Sequence, residues 1–376
     1  MMSYMFCKAG VASSLVLAFL MPLSALAGGD SIGAVYTMSN AAAGNSVLVF
    51  GRNLVGKLTP AGEFDTGGLG TGTGLGNQGA VIIDPANRWL FVVNAGSDDI
   101  SVFAVEEDGL ALVDREYSGG ERPISLTSSG NLLYVLNAGG AVGTADSITG
   151  FTVGADGVLT PIPGSTQSLS DANTGPAQIS FNADGDVLVV TEKATNLIDT
   201  FTVDSNGVAG PVNTYASSGT TPFGFAMGKR NQVIVSEAAG GATDQSSVSS
   251  YRLGKDGSLT VISPSVGTTE TAACWAIVSN DGRFAYTTNA GSGSISGYST
   301  GFDGSLALLD ANGRTGNTGK NTGPLDMALS NDGRNLYTLN GQSDTIGVFK
   351  VKNKGGLASL NSHVNVPEST NGLAVR

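Results

Sequence analysis

Residues Ser330–Val351 read SNDGRNLYTLNGQSDTIGVFKV. Asn331-Asp332-Gly333 has the composition of a tight turn, and NLYTLN after it is a short strand. A polar stretch, Gly341–Asp344, then leads into TIGVFKV, a second strand rich in β-branched and aromatic residues. Ser279–Thr300 repeats the unit as SNDGRFAYTTNAGSGSISGYST, and Ile83–Val105 repeats it as IDPANRWLFVVNAGSDDISVFAV. The aromatic residue in the second strand sets the period: Phe50, Phe103, Phe151, Phe201, Tyr251, Tyr298 and Phe349 follow one another at intervals of 53, 48, 50, 50, 47 and 51 residues.

Outward from this pair the pattern gains two more strands. A short apolar strand precedes it, as in GPLDMAL (323–329) or PFGFAM (222–227), and a Gly-containing turn and a fourth strand follow it. Asp-Gly or Asn-Gly at 108–109, 156–157, 206–207, 256–257 and 303–304 provides the positive φ of a tight hairpin between the third and fourth strands. Four strands in about fifty residues, with no sustained amphipathic helix, predict an all-β fold. Its architecture is a seven-bladed β-propeller of four-stranded antiparallel blades, lettered A to D from the axis outward. Blade one opens at Val35–Met38 with a B-type strand and lacks its own strand A. Asn371–Val375 matches the A pattern, so the C-terminal strand is expected to join blade one and close the ring.

Glycine accounts for 55 of the 376 residues, in keeping with many tight turns. Residues 1–27 carry Lys8, an apolar run from Val11 to Leu23 and Ala25-Leu26-Ala27, the layout of a cleavable secretory signal. The expected organisation is therefore a signal peptide over 1–27 and one propeller domain over 28–376, periplasmic or secreted, with no membrane association after cleavage. Cys7 leaves with the signal and Cys274 has no partner, so disulfides do not hold the fold. The net charge is −12 and the basic residues form no stripe, which argues against nucleic acid as a partner. A monomer is expected.

Propeller geometry places the D-to-A and B-to-C connections on one face. These are the long, unequal ones, over 66–78, 138–147, 168–175, 238–247 and 313–323, so a binding site is expected there, at the mouth of the axial channel. The glycine run 67–76 reads as a flexible loop. At the end of strand B the repeat places Asn94, Asn137, Glu192, Glu237, Asn289 and Asn340, with Ser39 or Asn40 in blade one. Recurrent Asn satisfies the backbone of the following turn. Glu192 and Glu237 break the pattern in adjacent blades and are the candidate acid and base. At the start of strand A stand Ala80, Ser125, Gln178, Gly224, Trp275, Asp326 and Gly372. Gln178, Asp326 and Trp275 are the large or polar exceptions, and Trp275 serves either as a stacking wall or as a plug of the channel. Arg122, Lys193 and Asn289 complete the candidate substrate-binding set, with Lys320 a further cation on that face. His363 falls on an outer strand away from the mouth. No Cys/His metal set or Ser-His-Asp arrangement is evident.

TAACWAIVSNDGRFAYTTNAGSGSISGY (271–298) and the units quoted above resemble the lactonase-type seven-bladed propellers, the group around 6-phosphogluconolactonase and carboxymuconate cyclase, over essentially the whole mature chain. The resemblance implies this fold and a pocket holding His, Arg and Glu, from a Gly-Pro-Arg-His strand start and an Asn-Glu strand end. Here the segments read Gly175-Pro176-Ala177-Gln178 and Thr191-Glu192. Aligned through Gly185, Glu192 takes the family's Asn position and Lys193 its Glu position, and a one-residue slip makes Glu192 the family's Glu. Three functions follow as expectations. The first is a binding propeller for a small-molecule, glycan or protein ligand, without catalysis because the His and Arg are absent. The second is a lactone hydrolase or cyclo-isomerase using Glu192 and Glu237. The third is a calcium-dependent propeller built on Glu192, Glu237, Asn289 and Asp326.

Overall fold

The computed structural model describes residues 31–376; the expected signal peptide lies outside them. Seven antiparallel sheets form a ring, and in blades two to seven the strands run in sequence order from the axis outward. In blades two to seven strand A begins at Val81, Pro123, Pro176, Pro222, Ala273 and Pro324, and strand B ends at Asn94, Asn137, Glu192, Glu237, Asn289 and Asn340. Blade one combines Gly33–Met38, Ser46–Arg52 and Leu58–Asp65 with Asn371–Val375, which pairs antiparallel to Gly33–Met38 with Tyr36 opposite Ala374. The expected ring closure is therefore present. Thr37 Oγ1 reinforces it by donating to Gly372 O at 2.6 Å.

The outer strand departs from the simple pattern twice. In blade three it is split into Leu159–Pro161 and Gln167–Ser168, and in blade six into Leu306–Leu308 and Gly316–Asn317. Pro161 and Pro163 lack the N–H that an uninterrupted ladder requires, which accounts for the break in blade three.

The repeated aromatics define the core. Phe103, Phe151, Phe201, Tyr251 and Tyr298 are buried in strand C, and Tyr134, Tyr286 and Tyr337 are buried in strand B. The strand-B tyrosines also join blades. Tyr134 Oη donates to Gly207 O at 2.7 Å, Tyr286 Oη to Gly355 O at 2.9 Å and Tyr337 Oη to Gly56 O at 3.1 Å, in each case the C-to-D turn of the next blade. In blade four, strand C makes the contact, Thr200 Oγ1 donating to Gly257 O at 2.7 Å, and in blade five Gln232 Nε2 of strand B and Ser250 Oγ of strand C both donate to Gly304 O, at 2.6 and 2.8 Å. Gly257 has φ +79°, and a Cβ there would press on Thr200 Oγ1 at 3.0 Å, so turn geometry and seam packing both demand glycine. A bond at this radius thus recurs at the five seams from blade three round to blade one and ties those modules to their neighbours.

Candidate functional site

The end of strand B faces the seam between its own blade and the preceding D-to-A connection. Blade six shows the arrangement in its amide form: Asn289 Nδ2 donates to Ser294 Oγ at 3.0 Å and Ser296 Oγ at 2.9 Å, both on strand C. In blade two Asn94 Nδ2 donates to Ser101 Oγ and Asp99 Oδ1, and its Oδ1 accepts from Thr66 and Asn45. Glu237 occupies the same place in blade five. It accepts from Ser247 and Ser249 on strand C, and from Gly219 N at 2.9 Å and Ser217 Oγ at 3.3 Å on the D-to-A connection. Burial still holds its carboxyl above the usual range, against the pull of these four donors.

Glu192 in blade four accepts from Ser170 N at 3.1 Å, Ser170 Oγ at 2.5 Å and Thr195 Oγ1 at 2.6 Å. It lies against Asp199, a strand-C residue that the sequence reading did not single out. Burial, then the hydrogen bond and charge of Glu192, push the Asp199 carboxyl up to about 8. Asp199 is thus the member of the pair held towards its protonated form. Asp199 had a sequence signal: it stands two residues before the repeat aromatic, where blades two, three, five and six carry Ser101, Thr149, Ser249 and Ser296.

Glu192 and Glu237 are each 0 % exposed, so neither carboxylate reaches the channel mouth where the sequence reading placed it, and they have no hydrogen-bonding partner in common. Asn289 is likewise sealed in its own seam. The physical reason is blade geometry: a strand-B side chain projects from a sheet face into the layer between blades, and only strand A, at the inner edge, lines the channel.

The channel itself is crossed by the segment after the glycine run. Gly70 N and Gly72 N donate to Ala41 O and Asn40 O, and Asn40 Nδ2 donates to Thr73 O, so this loop is held to blade one rather than free as expected. Residues 76–79 then pass over the axis. Gln78 makes a paired contact with blade six, its Nε2 donating to Ala276 O at 2.9 Å and its Oε1 accepting from Ala276 N at 3.1 Å. Gln78 N donates to Ala177 O of blade four at 3.0 Å, and Ser125 Oγ of blade three donates to Gln78 O. A Cβ on Gly224 would land on Gln78 Oε1 and lie 2.8 Å from Cys274 O, so only glycine leaves room for this crossing.

This crossing divides the sequence-predicted residues into two groups. Lys193, Trp275 and Arg122 belong to the long-loop side. Trp275 Nε1 donates to Asn77 O at 2.6 Å, and its ring meets Phe223 with centroids 4.9 Å apart. Trp275 is thus a buried support of the crossing segment, which itself blocks the axis. Lys193 Nζ donates to Gly76 O at 2.6 Å and Pro176 O at 2.7 Å and lies 4.9 Å from the Phe223 centroid. Burial lowers its ammonium to about 8; the nearby Cys274 opposes that shift and Arg122 adds to it. Arg122 is held at φ +55° by the bond from its N–H to Asp98 Oδ1, and its buried Nε has no partner. Cys274 is a free, buried thiol that burial pushes up to about 12. Lys320 and His363 are exposed, and His363 sits on the outer strand as expected.

Gln178 and Asp326 form the second group. They line an axial cavity of ≈ 300 Å³ beneath Gln78 that extends to Pro85 in the A-to-B turn of blade two. Each also meets the inner edge of the next blade: Gln178 Oε1 accepts from Phe225 N at 2.7 Å, and Asp326 accepts from Leu373 N as well as from Met327 N at 2.8 Å. The four residues of the calcium alternative therefore lie in three separate seams and the cavity. Among the described residues no group of three or more His, Cys, Asp and Glu side chains converges as a metal site.

The family model described as lactonase, 7-bladed beta-propeller, matches residues 43–168 and 120–236, together more than half of the chain. The protein belongs to this lactonase family. Among solved structures, the periplasmic gluconolactonase of Pseudomonas aeruginosa is 17 % identical, with a TM-score of 0.72 over 91 % of this chain and 98 % of that one. A candidate 6-phosphogluconolactonase from Bacteroides fragilis is 19 % identical, with a TM-score of 0.71 over 92 % and 98 %. A Lactobacillus plantarum protein is 15 % identical, with a TM-score of 0.71 over 92 % and 100 %. At these identities the likeness is one of fold. No curated protein sequence matches the chain.

Proposed function

We propose that this member of the lactonase family is an extracytoplasmic binding propeller that holds a small carboxylate ligand, of the sugar-acid class, on its long-loop face between Lys193 and Arg122. The observation that carries this reading is the state of the two cations. Lys193 uses two of its three ammonium protons on backbone carbonyls, and the Nε of Arg122 is unpartnered, so the pair retains donors for an anion. The packed Phe223–Trp275 pair fixes the ammonium in place before any ligand arrives. The expected signal peptide and the periplasmic location of the Pseudomonas relative support an extracytoplasmic setting.

Catalysis has less support. The candidate acid and base are enclosed, and the family's Arg and His are replaced by Ala177 and Gln178. The hydrolase reading retains one favourable feature, the burial of Asp199 against Glu192, which raises the Asp199 carboxyl, and it requires the 168–175 connection to lift and admit substrate. Calorimetry and thermal shift with D-gluconate, using D-glucose as the neutral control, test the binding reading. Gluconate is expected to raise the melting temperature of the wild type and to do so far less in Lys193→Gln and Arg122→Gln. An equal response to glucose, or an unchanged response in both variants, would overturn it. Turnover of D-glucono-1,5-lactone that disappears in Glu192→Gln would establish the hydrolase instead.

A further inference from the structure

The axial cavity contains a carboxyl group that its structural role does not require. At the start of strand A, Ser125 and Gln178 accept the N–H of Ile179 and Phe225 in the following blade at 3.1 and 2.7 Å. Asp326 does the same for Leu373 at the closing strand. A neutral acceptor suffices in two blades, yet blade seven uses a carboxyl that is 4 % exposed. Two backbone N–H groups occupy part of its accepting capacity, and a carboxylate has about four lone-pair directions. Among the described residues no Lys, Arg or His lines the cavity, so no cation of the protein faces this carboxyl there.

The rest of the wall gives a chemical profile. Val81, Ile82, Leu126, Ile179 and Met327 are apolar, and Gln178 Nε2 makes no hydrogen bond among the described residues. Gln78 closes the upper end with both amide atoms already engaged by Ala276. A volume of ≈ 300 Å³ is at the small end of ligand sites, which run from roughly 300 to 1,000 Å³. A divalent metal is a poor match, because one carboxylate and one amide fall short of the six to eight oxygens calcium takes. A compact alkyl group bearing one ammonium fits charge, size and lining together.

We infer that the axial cavity is a second binding site, for a small organic ammonium ion whose nitrogen pairs with Asp326 while its alkyl part packs against the strand-A side chains. The site is separate from the carboxylate site proposed above, from which Gln78 divides it, and it does not depend on that reading. Binding is also linked to pH. Burial pushes the unliganded Asp326 carboxyl up to about 8, with its two backbone hydrogen bonds opposing, and no other ionisable side chain lines the cavity. A bound ammonium favours the ionised form, so binding releases a proton below that pH.

The test uses propylammonium chloride, with 1-propanol as the neutral match, on the full mature protein. Saturable binding of propylammonium by calorimetry is expected, tightening about tenfold per unit between pH 6 and pH 7.5. Its heat should depend on the ionisation enthalpy of the buffer, because a proton is released. Asp326→Asn should lose the binding while keeping its response to gluconate, whereas Lys193→Gln should show the reverse. Equal binding of 1-propanol, absence of saturable binding, or a heat independent of buffer would overturn the proposal. The buffer comparison needs only the wild type, so it remains decisive if Asp326→Asn does not fold.

Discussion

Blades five and six finish strand B at the same point with different chemistry. Asn289 offers donors to two strand-C hydroxyls, whereas Glu237 can only accept, and its surroundings supply two strand-C hydroxyls, a third from Ser217 and the Gly219 N–H. The seam has adapted around the outlier. A carboxylate that breaks a repeat is therefore not in itself a reactive group; the hydroxyls around it show whether it has been absorbed into the scaffold. Blade four takes this further, because Glu192 faces a second acid, Asp199, whose carboxyl burial and the neighbouring Glu192 hold towards its protonated form.

The largest expected effect separates the two chemistries directly. Glu237→Ala leaves four donors without an acceptor, one of them a backbone N–H, and should destabilise the protein by roughly 3 kcal/mol in urea unfolding at pH 7. Asn289→Ala, which strands hydroxyls able to find other partners, should cost about 1 kcal/mol. Equal losses would mean that the two seams are energetically alike and the contrast is only one of residue type.

A smaller effect sharpens the contrast through pH. The folded Asp199 carboxyl titrates near 8 and the unfolded one near 3.8, so folding takes up a proton between those values. Stability from this group is complete below about pH 4 and is lost as pH rises towards 8. The wild type should melt about 2–4 °C higher at pH 5 than at pH 8, and Asp199→Asn, which mimics the protonated acid, should reduce that difference. An unchanged pH dependence in the variant would place the titration elsewhere. The least effect is expected on the axis: Gln78→Ala removes the paired contact with Ala276 and should cost about 1 kcal/mol, read as a shift in urea midpoint.

The ring was legible because its punctuation is local. Turn sequences such as Asn331-Asp332-Gly333 and the aromatic spacing specify strands one hairpin at a time, and the unmatched Val35–Met38 strand points to Asn371–Val375 as its partner. The site was legible only as a set of exceptions. Comparing blades identified Glu192, Glu237, Gln178, Trp275 and Asp326, but not which layer each side chain enters, because that depends on the connection arriving from the previous blade. Ser170 and Ser217 lie in such connections and carry no pattern that announces their partners. The same limit hid the crossing at 76–79: its glycines read as slack, and only the far-side contacts of Asn77 and Gln78 reveal where it goes. Asp199 could have been found, by extending the blade comparison to strand C.

The pairing of Tyr36 with Ala374 has a consequence for biogenesis. During vectorial synthesis six modules can stack as they emerge, but blade one keeps an unpaired inner edge until residues 371–375 have been made. For most of translation the polypeptide is an open arc with one adhesive flank. Covering that flank late makes completion a single long-range event rather than the addition of another neighbour.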